Sequence, residues 1–291
     1  MRDYAAYLRM VEEALVPALD SLGEIPPRLR EAMVYSLAAG GKRVRPVLLL
    51  AACDLLGGRP EEALPFACAL EMIHTYSLIH DDLPAMDNDS MRRGKPASHV
   101  AFGEDVAILA GDGLLSAAME LMLRTACGMD SLRGTRAAEA IARRCGVTGM
   151  VAGQTVDVTE EGTAPTEARV SYIHLHKTAD LITAATEAGA CLACARQEVV
   201  EAMVRYGQAL GLTFQMVDDV LDVVGDAAVL GKKTGLDAAA GKLSRVALRG
   251  VAGTRQDAAR AAEEAKAAIR TIPGDTDFFV NLAEDMLNRI A

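Results

Sequence analysis

A chain of 291 residues with 51% hydrophobic side chains can bury a large core, as one large domain or two smaller ones. Its net charge of −10 argues against a nucleic-acid binder, whose affinity comes mainly from neutralising phosphates. Arg2, Asp3, Arg9, Glu12 and Glu13 leave no apolar core for a signal peptide, and no uncharged apolar run approaches a membrane span, so a cytoplasmic protein without a membrane span is expected.

Alanine-rich apolar runs are broken by glycine, proline and acidic residues, and aromatics make up only 4%; the alternating, β-branched pattern of strands is scarce. An all-α fold is expected. Helices are predicted over Tyr4 to Ser21 and Pro27 to Ala39, followed by the turn Gly40-Gly41-Lys42-Arg43-Val44-Arg45-Pro46. That turn delivers Lys42 and Arg45 to the start of a helix over Val44 to Leu56, which resembles an anion site. The glycine spacing is not that of a P-loop or a dinucleotide fingerprint. A helix over Leu64 to His80 then leads into Asp81-Asp82-Leu83-Pro84-Ala85-Met86-Asp87. Pro84 biases Leu83 away from the helical region, so Asp81 and Asp82 sit at a helix C-terminus and Asp87 returns from the loop beyond.

The basic run Met91-Arg92-Arg93-Gly94-Lys95-Pro96 comes next, then helices over Val106 to Cys127 and Ser131 to Met150 and a short loop from Glu160 to Thr166. His176-Lys177-Thr178 opens a helix over Ala179 to Ala195. A further helix, Val199 to Val224, is apolar from Leu212 to Val217 except for Thr213 and Gln215, and is then interrupted by Asp218-Asp219-Val220-Leu221-Asp222. Gly225 to Gly250 reads as loop-rich, and a helix over Gln256 to Arg270 follows.

The two acidic clusters work against the fold unless a cation neutralises them. Asp218 and Asp222 share one helix face and repel, and carboxylates at a helix C-terminus oppose the dipole. Sites made only of oxygens suit a hard ion such as Mg2+. Arginine forks match diphosphate oxygens, so the basic runs and the carboxylates together point to metal-bridged diphosphate chemistry, which also reconciles an acidic chain with an anionic substrate. A rival reading takes His80-Asp81 as the pair of a metal phosphohydrolase with His174 and His176 as further ligands, but leaves the second acidic cluster unexplained. The six cysteines, Cys191-Leu192-Ala193-Cys194 included, read mostly as buried thiols without a redox or zinc role.

From about Gly40 to Gly250 the segments GGKRVRP, EMIHTYSLIHDDLPAMDNDSMRRGKP, LAGDGLL, GQTVDV, HKT, FQMVDDVLDVVGD and LGKKTG stand in the order found in one family. The chain resembles the trans-isoprenyl diphosphate synthases, most closely the bacterial farnesyl diphosphate synthases. That resemblance implies a single-domain helical bundle over residues 1–291 around a central cavity, a homodimer, and three Mg2+ ions. By the same resemblance Asp81 and Asp87 hold two ions and Asp218 the third, with Asp82 and Asp222 as weaker candidates. Arg92, Lys177 and Lys232 would bind the allylic diphosphate, joined by Lys242, while Lys42, Arg45, His74 and Arg93 would bind isopentenyl diphosphate. Thr178 and Gln215 would turn oxygen dipoles towards the allylic cation, and Tyr76 with Ser77 would set chain length. Dimethylallyl and geranyl diphosphate are the expected primers and farnesyl diphosphate the expected product, with geranylgeranyl diphosphate as the alternative. A non-catalytic subunit of a heteromeric synthase is a further alternative, and would be expected to lack one of the two acidic motifs. One departure stands out: where the family has threonine, tyrosine and proline after Lys242, this chain has Leu243-Ser244-Arg245-Val246.

Overall fold

The computed structural model describes residues 1–224 and 242–290, and its described residues divide into two compact units. Lys232 and the LGKKTG segment lie outside the described residues. The expectation of an all-α protein holds: besides helices, the described residues contain a single two-stranded hairpin.

The first unit comprises Met1–Glu139 and Cys191–Cys194. Helix α1 (Tyr4–Asp20) begins where the Asp3 carboxylate accepts from the Ala6 amide, and buries Tyr7, Val11, Leu15 and Leu19 along one four-residue stripe. Helix α2 (Pro27–Leu37) starts on a proline, whose missing N–H costs nothing in a first turn. Helix α3 (Val44–Leu55) is buried without interruption from Pro46 to Cys53, so it shows no amphipathic stripe. Helix α4 (Pro60–Asp81) also opens on proline, with Glu61 and Glu62 in its first turn, and packs against α3. It begins four residues earlier than predicted and ends at Asp81, as Pro84 implied.

Strands β1 (Met91–Arg92) and β2 (Lys95–Pro96) pair antiparallel. Arg93 and Gly94 both have positive φ, the two-residue turn that matches strand twist. Helices α5 (Ser98–Phe102) and α6 (Glu104–Cys127) follow. Helix α6 is long and apolar enough to cross a bilayer by length and composition, but it carries Glu104, Asp105, Asp112, Glu120 and Arg124 and packs along α4 and α2. Helix α7 (Arg133–Cys145) begins in this unit and runs into the next.

In the second unit the helix predicted over Ser131 to Met150 is two helices. At Gly149 the chain passes so close to the Arg144 carbonyl that a Cβ would lie 2.0 Å from its oxygen, and α8 (Met150–Thr159) starts afresh. Helix α9 (Glu167–Ile173), capped by the Thr166 hydroxyl, runs into a π-helical turn at His174–Ala179 and then α10 (Asp180–Leu192). Helix α11 (Gln197–Val224) packs along α12 (Arg245–Ile269), which begins eleven residues before the predicted helix. Ser244 caps α12, and the chain absorbs Gly250 at φ 64 as a kink where the sequence suggested continuing loop. Helix α13 (Asp277–Asn288) follows.

Of the six cysteines only Cys53, Cys68 and Cys145 are buried, fewer than expected. Burial pushes the Cys53 and Cys68 thiols up to about 12 and Cys145 to about 11, which keeps them inert thiols at neutral pH.

Candidate active site

In the first unit the GGKRVRP segment sorts its cations by direction. Gly40 and Gly41 take φ of 80 and 127, and Arg43 follows at φ 49, which turns its side chain inward. There it donates to Glu12 and Glu71 at 2.7 Å each and to the Leu37 carbonyl at 2.6 Å. Arg43 is therefore a buried brace between α1 and α4. Lys42 stays exposed, its carbonyl held by the Tyr4 hydroxyl. Arg45, in the first turn of α3, lies 3.3 Å from His74 Nε2, and Arg93 Nη1 donates to the Gly40 carbonyl. A Cβ on Gly41 would meet the Arg93 guanidinium at 3.0 Å, a tight contact, and the positive φ of Gly41 itself favours glycine.

The structure thus brings Arg45, His74 and Arg93 together beside the turn that carries Lys42. Burial, then Arg45, Arg93, Arg43 and Arg92 in that order, hold the His74 imidazole well below its usual range. Neutral at pH 7, it can accept from Arg45. Burial and neighbouring arginines also lower Arg93. So many cations converging on one neutral histidine form a site that an anion would stabilise.

The first acidic cluster folds as its proline dictated. Asp81 is the last residue of α4, Asp82 caps it, and the Asp87 amide donates to the Asp81 carbonyl at 2.8 Å, returning the loop to the helix end. Asp81 and Asp87 are half-exposed, whereas Asp82 is buried and gripped by Arg92, whose Nε donates to its two oxygens at 2.9 and 3.2 Å. Burial pushes the Asp82 carboxyl up, and Arg92 pulls it part of the way back. Arg92, an expected diphosphate ligand, thus rests on an expected metal ligand. Beside the pair lies a cavity of about 30 Å³ lined by the unpartnered hydroxyls of Thr75 and Ser98, room for an ordered water.

Tyr76 is buried on α4 and meets His80 edge to face at 5.8 Å. His80 Nε2 in turn reaches the Ile108 carbonyl of α6 at 3.1 Å, so this pair faces α6; the Ser77 hydroxyl turns back to the His74 carbonyl. His80 is not part of a metal cluster. Among the described residues no group of three potential ligands is assembled around any point, and His174 and His176 pair with Asp219 and Asp180.

In the second unit the π-helical turn presents Lys177 and Thr178. Two glycines allow its neighbours to press against it: a Cβ on Gly153 of α8 would lie 2.1 Å from the Lys177 nitrogen, and one on Gly211 of α11 would lie 2.4 Å from the Ala179 Cα. Such π turns occur frequently at functional sites. Lys177 Nζ pairs with the buried Asp157 at 2.5 Å. The Thr178 hydroxyl donates to Gln215 Oε1 at 2.6 Å, and Gln215 Nε2 donates to Asp219 at 2.9 Å, which fixes the amide's orientation. Asp219, buried, also accepts from the Arg245 amide at 2.6 Å and lies 3.1 Å from His174 Nε2.

The departure after Lys242 therefore has a structural role. Leu243 packs on Val170 and Ile173, Ser244 caps α12, and the Arg245 backbone is tied to the second aspartate motif. Lys242 lies next to this anchor, half-exposed. Asp218 is half-exposed with Arg289 Nη1 at 3.1 Å, while Asp222 is buried. Motif spacing did not single out Asp157, or Asp219 as an anchor, or Arg289; the GQTVDV segment was the one signal for Asp157.

Can these carboxylates hold a hard cation? The donors are oxygens only, the Asp87 loop is returned to Asp81, and at Asp218 a cation, the Arg289 guanidinium, already sits against the carboxylate. The donor set fits.

An all-α chain with an acidic motif near a helix C-terminus in each unit, and with arginines gathered around a neutral histidine, is of the isoprenoid synthase class. The chain belongs to the polyprenyl synthetase family, whose profile matches residues 26–273. The geranyltransferase of Legionella pneumophila is similar in structure, with a TM-score of 0.86 and 34% identity over 99% of this chain and 96% of that one. The Helicobacter pylori geranyltransferase, solved with magnesium and isoprenyl diphosphate, gives 0.83 at 30% identity over 99% and 97%. The chloroplastic heterodimeric geranylgeranyl pyrophosphate synthase large subunit 1 of Arabidopsis thaliana is 46% identical, covering 91% of this chain and 73% of its own length. The geranylgeranyl diphosphate synthase of Cyanophora paradoxa is 43% identical over 93% and 92%. Prenyl transfer in isoprenoid biosynthesis is the activity this membership assigns. The expectation of a cytoplasmic protein finds no support in relatives named chloroplastic.

Proposed function

We propose that residues 1–291 act as one catalytic domain that condenses isopentenyl diphosphate head to tail with allylic diphosphates, ending at geranylgeranyl diphosphate. The observation that carries the product assignment is the naming of relatives 43–48% identical over 86–93% of the chain as geranylgeranyl synthases. Farnesyl diphosphate, the product expected from the sequence, is the second reading. It is favoured by Tyr76, a bulky ring buried one turn before the first aspartate motif.

In this reading Asp81, Asp87 and Asp218 hold three Mg2+ ions, with Asp82 and Asp222 as further candidates. Bound there, the ions neutralise the charge that grows on the departing diphosphate. Lys177, steadied by Asp157, and Arg92, once it leaves Asp82, hold the allylic diphosphate, together with Lys232 and Lys242. Lys42, Arg45, His74 and Arg93 hold isopentenyl diphosphate. A neutral His74 suits that role, since it accepts one hydrogen bond from Arg45 and can donate another. Thr178 donates its O–H hydrogen bond to Gln215 and so keeps lone pairs to turn towards a cation, without the nucleophilic charge that would trap it. Closure of the site keeps water from the cation.

The test is incubation of purified protein with Mg2+, isopentenyl diphosphate and dimethylallyl, geranyl or farnesyl diphosphate in turn. A twenty-carbon product from all three primers supports the proposal. A fifteen-carbon end point with farnesyl diphosphate inert selects the second reading, and no product from any primer points to the non-catalytic subunit.

Lys42→Ala should raise the KM for isopentenyl diphosphate about 10- to 100-fold, the worth of one charge-assisted contact, and leave the KM of the allylic primer unchanged. Calorimetric binding of isopentenyl diphosphate equal to wild type would remove Lys42 from this set. A homodimer belongs to the same proposal, supported by Ile108, Leu109 and Leu123, which α6 leaves exposed. Sedimentation that shows only a 30.7 kDa species at micromolar concentration would refute the dimer.

A further inference from the structure

Just past α13, Arg289 reaches back to α11. Its Nη1 lies 3.1 Å from Asp218 Oδ1, and its guanidinium carbon lies 5.6 Å from the centre of the Phe214 ring, one turn before Asp218 on the same face. The reach is not that of a loose end. Ile290 is buried against Met216, Val217 and Val220 of α11, Leu287 packs on the same cluster, and the Ile290 amide closes on the Leu287 carbonyl at 3.2 Å. The buried Ile290 after Arg289 and the partly buried Leu287 before it thus hold this stretch against α11 and present the side chain to the aspartate.

We infer that Arg289 is a built-in counter-ion that competes with the metal for Asp218. The inference rests on the reading of Asp218 as a metal ligand. In the metal-free protein Asp218 stands one turn from Asp222, a like-charge spacing that disfavours the helix, and the guanidinium offsets it. A guanidinium held 3.1 Å from Asp218 Oδ1 repels a cation arriving at the same carboxylate and occupies part of its acceptor capacity, so Arg289 opposes the ion's binding. Phe214 gives the displaced cation a surface to rest on. The metal affinity of the second motif is therefore set partly by a residue outside either acidic cluster.

Calorimetric titration of Mg2+ into protein saturated with inorganic pyrophosphate tests this. Half-exposed ion pairs are weak, so Arg289→Gln should bind Mg2+ about two- to fivefold more tightly than wild type, and Arg289→Lys, which keeps the charge, should stay near wild type. In EDTA, Arg289→Gln should melt below wild type, and saturating Mg2+ with pyrophosphate should abolish that difference. Equal or weaker Mg2+ binding by a folded Arg289→Gln protein overturns the competition. Asp218→Asn separates the two levels. If it titrates like wild type, the metal-ligand reading itself is wrong; if it loses a site while Arg289→Gln matches wild type, only the counter-ion fails.

Discussion

Asp81→Ala and Asp218→Ala are each expected to lower turnover by about three orders of magnitude while the helical content and melting behaviour stay close to wild type. Both carboxylates are half-exposed, Asp81 ends α4, where a negative charge opposes the dipole, and Asp218 stands one turn from the like-charged Asp222, so removing either costs the fold little. Their value lies in the reaction. The carbon–oxygen bond breaks only as fast as the charge growing on the diphosphate is neutralised, and a lost ion removes several kcal/mol from that stage alone, at about 1.4 kcal/mol per tenfold. The loss should appear in kcat more than in KM, because the ion holds the departing charge more strongly than the bound substrate. Single-turnover rates in saturating Mg2+ measure it. Wild-type turnover in excess EDTA would overturn the whole metal scheme, as would either variant within tenfold of wild type.

Tyr76→Ala should change the product itself. The residue stands five positions before Asp81, roughly 7–8 Å along the α4 axis, which is the depth at which a short prenyl tail would meet it. Its ring is braced edge to face against His80, and His80 is fixed on the Ile108 carbonyl with Gly111 leaving room for the imidazole; a Cβ there would lie 2.1 Å from Nε2. In the reading that makes Tyr76 the floor of the chain pocket, a ring held in this way would not yield to a growing chain. Truncating the ring should therefore lengthen the main product by at least one five-carbon unit, at a stability cost of about 3–5 kcal/mol typical of emptying a buried aromatic site. Tyr76→Leu should give a smaller shift at a smaller cost. Chromatography of the dephosphorylated alcohols decides it, and an unchanged profile from a folded, active variant removes Tyr76 from this role.

Local rules carried the parts of the structure that are local. The end of α4 at Asp81 follows from Pro84, the start of α3 follows from the glycines before Lys42, and the all-α fold follows from the scarcity of alternation. What stayed hidden depends on partners distant in sequence. Nothing in the spacing of Asp218 to Asp222 says that Asp219 turns inward to hold Arg245, because that bond spans 26 residues. Asp157 and Lys177 meet only because α8 and the π turn pack together. The early start of α12 depends on Leu243 finding Val170 and Ile173, which outweighs the loop character suggested by Gly250. Glycines misled at both places: α7 stops at Cys145, ahead of Gly146 and Gly149, where the pattern carried the helix onward, and Gly250 only kinks a helix that the pattern started after it.

The π turn at His174–Ala179 has a consequence for how the direction of Lys177 can vary. It amounts to one surplus residue spliced into an otherwise regular α9 to α10 rod, and one residue rotates a helix by about 100°. The surplus sets the direction of Lys177 independently of the apolar faces before and after it, which keep their own phase: Val170 and Ile173 on one side, Leu181, Ile182 and Ala185 on the other. Excising that residue would return the rod to a continuous α-helix, and it would have to carry either the core or the lysine out of line. The direction of Lys177 and the packing of the core are in this way decoupled by a single position, so each can drift in sequence without dragging the other along.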